Sequence, residues 1–177
     1  NYPFLLTQDA VTAAIAAGNG AVVKPSEFTP TASHLVAEAV DRAGLPAGLV
    51  QVVEGDGSVG EALVESGVDR VVFTGSTATG RRVMETAARH LVPVTLELGG
   101  KDPALVLADA DLDRAARGVA FGAFFNAGQT CISTERAYVH TAVFESFVDR
   151  VVEGAAALRG DGSAGAADLG PMVTPAQ

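Results

Sequence analysis

The single cysteine of this 177-residue sequence lies in a short polar stretch, Phe125-Asn126-Ala127-Gly128-Gln129-Thr130-Cys131. A lone cysteine cannot form an internal disulfide, and no neighbouring residue has the spacing of a zinc site. Small and polar residues surround it after an apolar run, so we expect a loop that presents the thiol. Such a thiol can attack a substrate carbon as a nucleophile. The alternative is a cysteine that serves as a small buried hydrophobic residue.

A glutamate upstream of the cysteine could supply the matching base. Glu97 lies in Val94-Thr95-Leu96-Glu97-Leu98-Gly99-Gly100-Lys101, where alternating apolar residues predict a strand. We expect a carboxylate in such a strand to be partly buried, and burial raises the pKa of a carboxylate toward the range of a general base. Cysteine and glutamate together form a nucleophile–base pair.

These two stretches together resemble the glutamate and cysteine signatures of the aldehyde dehydrogenase superfamily, and the resemblance extends from Asn1 to about Thr174. It implies NAD(P)-dependent oxidation of a small-molecule aldehyde to a carboxylic acid, through a thiohemiacetal and then a thioester on Cys131. Glu97 would activate the water that hydrolyses the thioester. Asn1 would complete an oxyanion hole with the Cys131 backbone N–H, unless it is a simple turn asparagine. The residues around Cys131 resemble those of succinate-semialdehyde-type members.

A second group of residues could hold the adenosine ribose of a dinucleotide. Lys24-Pro25-Ser26-Glu27 follows a predicted strand, where a lysine and a carboxylate can both bond ribose hydroxyls. The resemblance implies that Lys24, Ser26 and Glu27 contact the cofactor. Glu27 would repel a 2′-phosphate, which favours NAD while leaving NADP possible. The alternative is a solvated surface pair, the usual environment of Lys and Glu.

A third group, Gly75-Ser76-Thr77-Ala78-Thr79-Gly80, lies between a predicted strand and a predicted helix. Amides at a helix N-terminus attract a pyrophosphate, and glycine permits its close approach. The stretch is not GxGxxG, so an ordinary tight turn is the alternative. The resemblance implies cofactor contacts from Gly75, Ser76, Leu98 and Gly99, with Ser76 reaching the phosphates.

The elements that must position these residues alternate along the chain. Helices are predicted over residues 7–17, 30–43, 58–66 and 81–90, and strands over residues 21–24, 49–53, 70–74 and 94–98. This alternation predicts an α/β fold, with a Rossmann-like parallel sheet covered by helices on both faces. Ligands bind beyond the carboxyl ends of such strands, and three features fall at such ends: Lys24 with Glu27, the turn at residues 75–80, and Gly99-Gly100.

The pattern changes near Gly99-Gly100. A strand is predicted over residues 104–108, a helix capped by Asp109 or Asp111 reaches about residue 125, and a strand over 136–140 and a helix over 143–158 follow the cysteine loop. We therefore predict a partial dinucleotide-binding domain at residues 1–99. Residues 100–177 would form the start of an α/β catalytic domain, which carries the nucleophile. Residues 160–167 form a small, flexible, low-complexity patch.

Composition restricts the class of protein. The formal net charge of −9 argues against nucleic acid and anionic membrane surfaces as partners. No apolar run is long enough for a membrane helix, and a single cysteine fits a reducing compartment, so we expect a cytoplasmic protein. The sequence lacks an initiating Met and is shorter than full-length members of the resembled family. We therefore expect an internal fragment, inactive alone, of a homo-oligomeric protein.

Two other classes of function remain possible. A binding protein with the same fold would be favoured by loss of Cys131 or Glu97, and both are present. A CoA-acylating aldehyde dehydrogenase is disfavoured because members of that kind lack the glutamate. A Cys–His hydrolase is disfavoured because the histidines are scattered at positions 34, 90 and 140. Asn126 is interpreted as structural.

Overall fold

The computed structural model describes residues 1–160 and 167–175. The chain divides into two compact units, one of residues Tyr2–Leu98 and one of Gly99–Gln177 together with Asn1. The division falls beside Gly99-Gly100. Most of the predicted low-complexity patch, residues 161–166, lies outside the described residues.

The Tyr2–Leu98 unit alternates helices and strands as predicted. In chain order its elements are α1 (Pro3–Ala16), β1 (Ala21–Val23), α2 (Pro30–Arg42), β2 (Val50–Val52), α3 (Gly57–Glu65), β3 (Val71–Gly75), α4 (Thr77–Arg89) and β4 (Val94–Leu98). The predicted helix start at Thr7 is wrong. Helix α1 begins at Pro3, whose fixed φ suits a first helical turn, and the Thr7 hydroxyl donates instead to the Pro3 carbonyl.

The strands of this unit pair in parallel, as predicted, but in two separate pairs. β1 pairs with β2 and β3 pairs with β4, so the strands described here do not form one continuous sheet. Parallel pairing brings the carboxyl ends of both partners to the same edge. Val11, Val36 and Val50 pack together between α1, α2 and β2 as the core of the first pair.

Helix α4 starts earlier than predicted. Its first residue is Thr77 rather than Arg81, so most of the predicted glycine turn is the first turn of the helix. Ser76 is the N-cap, with its hydroxyl accepting from the Thr79 backbone N–H at 3.1 Å. Gly80 is buried where α4 crosses β4, and a Cβ there would lie 2.7 Å from Leu98 Cδ2.

The other unit carries the cysteine. Its elements are β5 (Asp102–Val106), α5 (Leu112–Phe124), a short 3₁₀ segment (Phe125–Gly128), β6 (Thr134–Val139), a second 3₁₀ segment (Thr141–Val143) and α6 (Phe144–Ala156). β5 pairs in parallel with β6. Val106, Ala116 and Phe147 form its core. Asp111 rather than Asp109 caps α5, accepting from the Arg114 backbone N–H at 3.1 Å.

None of the helices described is long and apolar enough to cross a membrane.

Candidate active site

Cys131 occupies a tight turn between α5 and β6. The Ser133 backbone N–H donates to the Thr130 carbonyl at 3.1 Å, which closes a β-turn with Cys131 and Ile132 at its centre. The thiol is exposed, as the sequence predicts. Within residues 1–160 and 167–175, no group accepts a hydrogen bond from the Cys131 backbone N–H, so this donor is available to a ligand.

Ser133 ties this turn to the end of α5. It is only 4% exposed, and its hydroxyl lies 3.2 Å from the Gly122 carbonyl and 3.4 Å from the Ala123 carbonyl. These carbonyls belong to the last turn of α5 and would otherwise lack intrahelical partners. The inward-facing serine therefore anchors the turn while Cys131 faces outward.

The segment before the cysteine has an uncommon backbone. Asn126 and Ala127 have φ values of 54° and 58°, and Gly128 has a φ of 74°. Glycine and asparagine tolerate this left-handed region, whereas for alanine it costs roughly 1–2 kcal/mol. The Asn126 side-chain amide donates to the Gln129 carbonyl at 3.0 Å, which agrees with a structural function for Asn126.

The two other predicted catalytic residues lie elsewhere. Glu97 is on β4, in register with Thr74 of β3, and belongs to the Tyr2–Leu98 unit. The expectation that Glu97 is partly buried is wrong, because its side chain is exposed. Glu97 lies near the end of the strand, on the face opposite to Leu96 and Leu98. Asn1 is exposed and is grouped with the unit that carries Cys131.

Two of the predicted cofactor contacts line a cavity at the carboxyl ends of β1 and β2. The cavity has a volume of ≈ 360 Å³ and is lined by Pro25, Ser26, Glu27, Pro30, Glu54, Gly55 and Asp56. Sequence reasoning missed Glu54, Gly55 and Asp56. The signal was the turn sequence Glu54-Gly55-Asp56-Gly57 directly after a predicted strand, which parallel pairing must place beside the end of β1.

Lys24 joins the two sides of this cavity. Its ammonium donates to the Pro25 carbonyl at 2.7 Å and to the Gly55 carbonyl at 2.8 Å, and Glu27 Oε2 lies 3.9 Å away. An ammonium has three donors, so one remains for a ligand. Gly60 of α3 lies beside the lysine stem, which would be in ordinary contact, at 3.4 Å, with a Cβ at that position.

Asp56 has a structural function at this cavity. It is the N-cap of α3, accepting from the Ser58 backbone N–H at 2.9 Å and from the Ser58 hydroxyl at 2.6 Å. These hydrogen bonds, chiefly that from the hydroxyl, lower the pKa of the Asp56 carboxyl below its ordinary value.

Three further predicted cofactor contacts, Gly75, Ser76 and Leu98, meet at the carboxyl ends of β3 and β4. Gly75 is in register with Leu98, and Ser76 begins α4 beside them. A Cβ at Gly75 would lie 2.6 Å from Phe73 Cζ, so a side chain there would require the Phe73 ring to shift. Gly99 is the first residue of the other unit.

The first turn of α4 provides backbone N–H groups suited to a phosphate, and the β1–β2 cavity provides a carboxylate and an ammonium suited to ribose hydroxyls. The residues present thus fit a dinucleotide.

Comparison with known proteins places these features in a family. Residues 1–177 match the model of the aldehyde dehydrogenase family. The chain is 48% identical over 159 residues to the 4,4′-diapolycopene aldehyde oxidase of a Methylomonas species, covering 90% of this chain and 30% of that protein. It is 45% identical to the 2-hydroxymuconic semialdehyde dehydrogenase of Pseudomonas putida, covering 98% of this chain and 37% of that protein.

Solved structures agree with the sequence matches. The NAD-dependent aldehyde dehydrogenase from Sinorhizobium meliloti superposes with a TM-score of 0.94 at 40% identity, covering 99% of this chain and 36% of that one. This likeness confirms the predicted α/β, Rossmann-like fold. The chain spans 30% and 37% of the lengths of the two curated relatives above.

Proposed function

The chain belongs to the aldehyde dehydrogenase family, and from this premise we propose that the complete protein containing it oxidises an aldehyde to a carboxylic acid with a nicotinamide dinucleotide, preferring NAD to NADP. The observation that carries the proposal is the exposed Cys131 thiol at the centre of a turn whose neighbouring backbone N–H is available to a ligand. The relatives above are named for aldehyde substrates, which supports the reaction class.

The exposed position of Cys131 supports a role as the nucleophile. The Cys131 thiolate attacks the aldehyde carbon, a C–S bond forms, and the carbonyl oxygen takes the negative charge. The Cys131 backbone N–H and the Asn1 amide stabilise that oxyanion. When bound, the dinucleotide supplies the oxidant, accepting the hydride that leaves this carbon. Cys131 then carries a thioester, so one difficult oxidation is divided into two easier steps.

Glu97 completes the reaction as general base. Its carboxylate accepts a proton from water as the water attacks the thioester, which releases the carboxylic acid and regenerates the thiolate. Exposure of Glu97 in this chain leaves it accessible to water.

The dinucleotide would be held by residues of the Tyr2–Leu98 unit. Lys24 and Glu27 would bond the adenosine ribose, with Ser26 beside them at the cavity. The first turn of α4, capped by Ser76, would bind the pyrophosphate, with Gly75, Leu98 and Gly99 providing close backbone approach. As further proposals, the complete protein is a homo-oligomer, and residues 1–99 and 100–177 belong to its cofactor and catalytic domains.

The test is a stopped-flow measurement of NADH formation by the complete protein, with succinate semialdehyde, acetaldehyde and decanal as substrates. We expect Cys131→Ala to abolish NADH formation, because no thiohemiacetal can form. Glu97→Gln is nearly isosteric but cannot take a proton. It should still release about one equivalent of NADH as a burst, followed by a steady rate that is lower by ~100- to 10,000-fold.

Glu135→Gln is the matched control, because Glu135 is also a glutamate on a strand and pairs with Lys101. It should retain the parental steady rate. Unchanged turnover in Cys131→Ala would overturn the proposed function, and unchanged steady turnover in Glu97→Gln would remove Glu97 from the mechanism. CoA-dependent acyl transfer by the parent, in place of hydrolysis, would favour the acylating alternative.

A further inference from the structure

Asn126 and Gln129, here called the amide pair, bond reciprocally around the left-handed backbone before Cys131. The Asn126 side-chain amide donates to the Gln129 carbonyl at 3.0 Å, and the Gln129 side-chain amide donates to the Asn126 carbonyl at 3.1 Å. The Gln129 backbone N–H also donates to the Asn126 carbonyl at 3.1 Å. Three hydrogen bonds therefore enclose Ala127 and Gly128.

This enclosure matters because the backbone inside it is intrinsically disfavoured. Residues 126–128 all have positive φ, and only one of them is glycine. Such a run persists where surrounding contacts over-determine it. The enclosed run leads directly into the cysteine turn, since the Thr130 backbone N–H donates to the Gly128 carbonyl at 2.9 Å.

Gln129 also connects the turn to a distant segment. Its Oε1 accepts from the Val173 backbone N–H at 3.0 Å, across 44 residues of sequence. Both ends of the Gln129 amide are thus used, one as donor and one as acceptor, which fixes its orientation. The segment that begins at Asp168 is anchored in turn, because the Asp168 carboxylate accepts from the Arg159 backbone N–H at 3.0 Å.

We propose that Gln129 is a positioning residue for Cys131: it holds the left-handed run closed, docks it on the Val173 segment, and thereby fixes the turn that presents the thiol. This inference rests on the proposed function only for the role of Cys131. The hydrogen bonds of Gln129 reach the thiol through the backbone and do not touch the substrate. A misplacement of the nucleophile should lower the rate of its attack without an equal loss of substrate binding.

Two Gln129 variants of the complete protein test this. Gln129→Leu removes both side-chain bonds. Gln129→Glu can still accept from Val173 but cannot donate to the Asn126 carbonyl, so it isolates that bond. Asn126→Gly keeps a residue that adopts positive φ easily and removes only the Asn126 donor. Gln51→Glu is the matched control, because the Gln51 amide donates to the Gly48 carbonyl in the other unit.

Two measurements are needed. Stopped-flow NADH absorbance gives the burst rate and KM, and hydrogen exchange followed by mass spectrometry reports the backbone amides of residues 129–133 without any turnover. We expect Gln129→Leu to lower the burst rate by ~10- to 100-fold with KM changed by less than ~3-fold. Exchange at residues 129–133 should accelerate while other peptides stay protected. In both burst rate and exchange, Gln129→Glu should lie between the parent and Gln129→Leu. Asn126→Gly should change both quantities less than Gln129→Leu does, and Gln51→Glu should match the parent.

The outcomes separate this inference from the proposed function. Parental burst rate and parental exchange in both Gln129 variants would overturn the inference while leaving the function intact. A loss confined to KM would also overturn it, since a positioning residue acts on the rate of attack. Should Gln129→Leu fail to fold, Gln129→Glu still decides. If the parent gives no burst with any aldehyde, the proposed function fails. Unchanged exchange in the Gln129 variants would then also show that Gln129 does not hold the left-handed run closed.

Discussion

The exposure of Cys131 is set by its neighbours. Cysteine is among the residues most often buried, so its own hydrophobicity favours the interior. Here the buried position is taken by Ser133, whose hydroxyl bonds the last carbonyls of α5. The i+3 bond between Ser133 and Thr130 then leaves Cys131 at the outer face of the turn. Cys131 is exposed because a serine two residues later is held inside.

Glu27 provides a prediction about cofactor choice. Its carboxylate lines the β1–β2 cavity and is 53% exposed, so it can approach a ribose hydroxyl and would repel a 2′-phosphate. In the complete protein we expect Glu27→Gln to lower the ratio of kcat/KM for NAD over NADP by about 10-fold, since like charges in contact cost several kcal/mol before solvent screening. The measurement is steady-state kinetics with each cofactor at saturating aldehyde.

The control for this comparison is Glu61→Gln, an exposed glutamate on α3 that does not line the cavity. It removes the same charge from the same unit and should leave the ratio unchanged. Equal efficiency of the parent with both cofactors, or an unchanged ratio in Glu27→Gln, would show that Glu27 does not select NAD.

At the scale of elements, hydrogen-bonding N-caps set the starts of three helices. Asp56, Ser76 and Asp111 each accept from a backbone N–H in the first turn of α3, α4 and α5. Ser76 directly follows β3, and Asp56 comes four residues after the end of β2, so both caps lie near strand ends where the candidate cofactor contacts are. Local capping therefore also places the residues that would meet a ligand.

Asp56 gives this arrangement a pH dependence. Its folded-state pKa lies below the ordinary value of 3.8, so its contribution to stability is present above that pH and is lost as the pH falls through the folded-state pKa. We expect Asp56→Asn, which still caps a helix but does not titrate in this range, to show a shallower loss of stability on acidification. Urea unfolding, repeated at several pH values between pH 5 and pH 2, measures this change in stability.

Ser58→Ala is the companion variant, because it removes the hydroxyl that contributes most to the lowered pKa. An NMR titration of the Asp56 carboxyl should then move toward the ordinary value. A parental acid profile in Asp56→Asn, or an unmoved titration in Ser58→Ala, would show that this cap does not couple pH to the stability of α3.

The sequence predicted elements better than it predicted contacts. The bounds predicted for β4 are those observed, because apolar alternation and Pro93 define it locally. The start of α4 was missed because a glycine-rich stretch resembles a turn, although Ser76 caps a helix there. Gly55 lies beside Lys24 through tertiary pairing across 31 residues, for which the turn after a predicted strand was the one signal. Val173 lies beside Gln129 across 44 residues and has no local signal.

At the scale of the whole chain, each unit has a small core and a large apolar surface. Val11, Val36 and Val50 are the buried centre of one, and Val106, Ala116 and Phe147 are that of the other. Outside these cores, large hydrophobic side chains remain exposed, among them Leu105 at 73%, Leu107 at 64%, Phe121 at 66% and Ile132 at 72%. An apolar surface of this extent commonly marks a face that other protein covers.

This surface predicts the behaviour of the 177-residue polypeptide by itself. Leu105 and Tyr138 are in register on β5 and β6 and are both exposed, so these two side chains form an apolar stripe across that strand pair. We expect the isolated polypeptide to self-associate and to form no NADH from aldehyde and NAD, measured by light scattering coupled to gel filtration and by absorbance.

Leu105→Lys should shift the polypeptide toward smaller species, since a charge on this stripe opposes edge and face association. Ala13→Lys adds the same charge to an exposed position on α1 and should not do so. A monodisperse and active 177-residue polypeptide would show that these residues are sufficient for catalysis, and would assign the exposed leucines to ordinary surface rather than to a covered face.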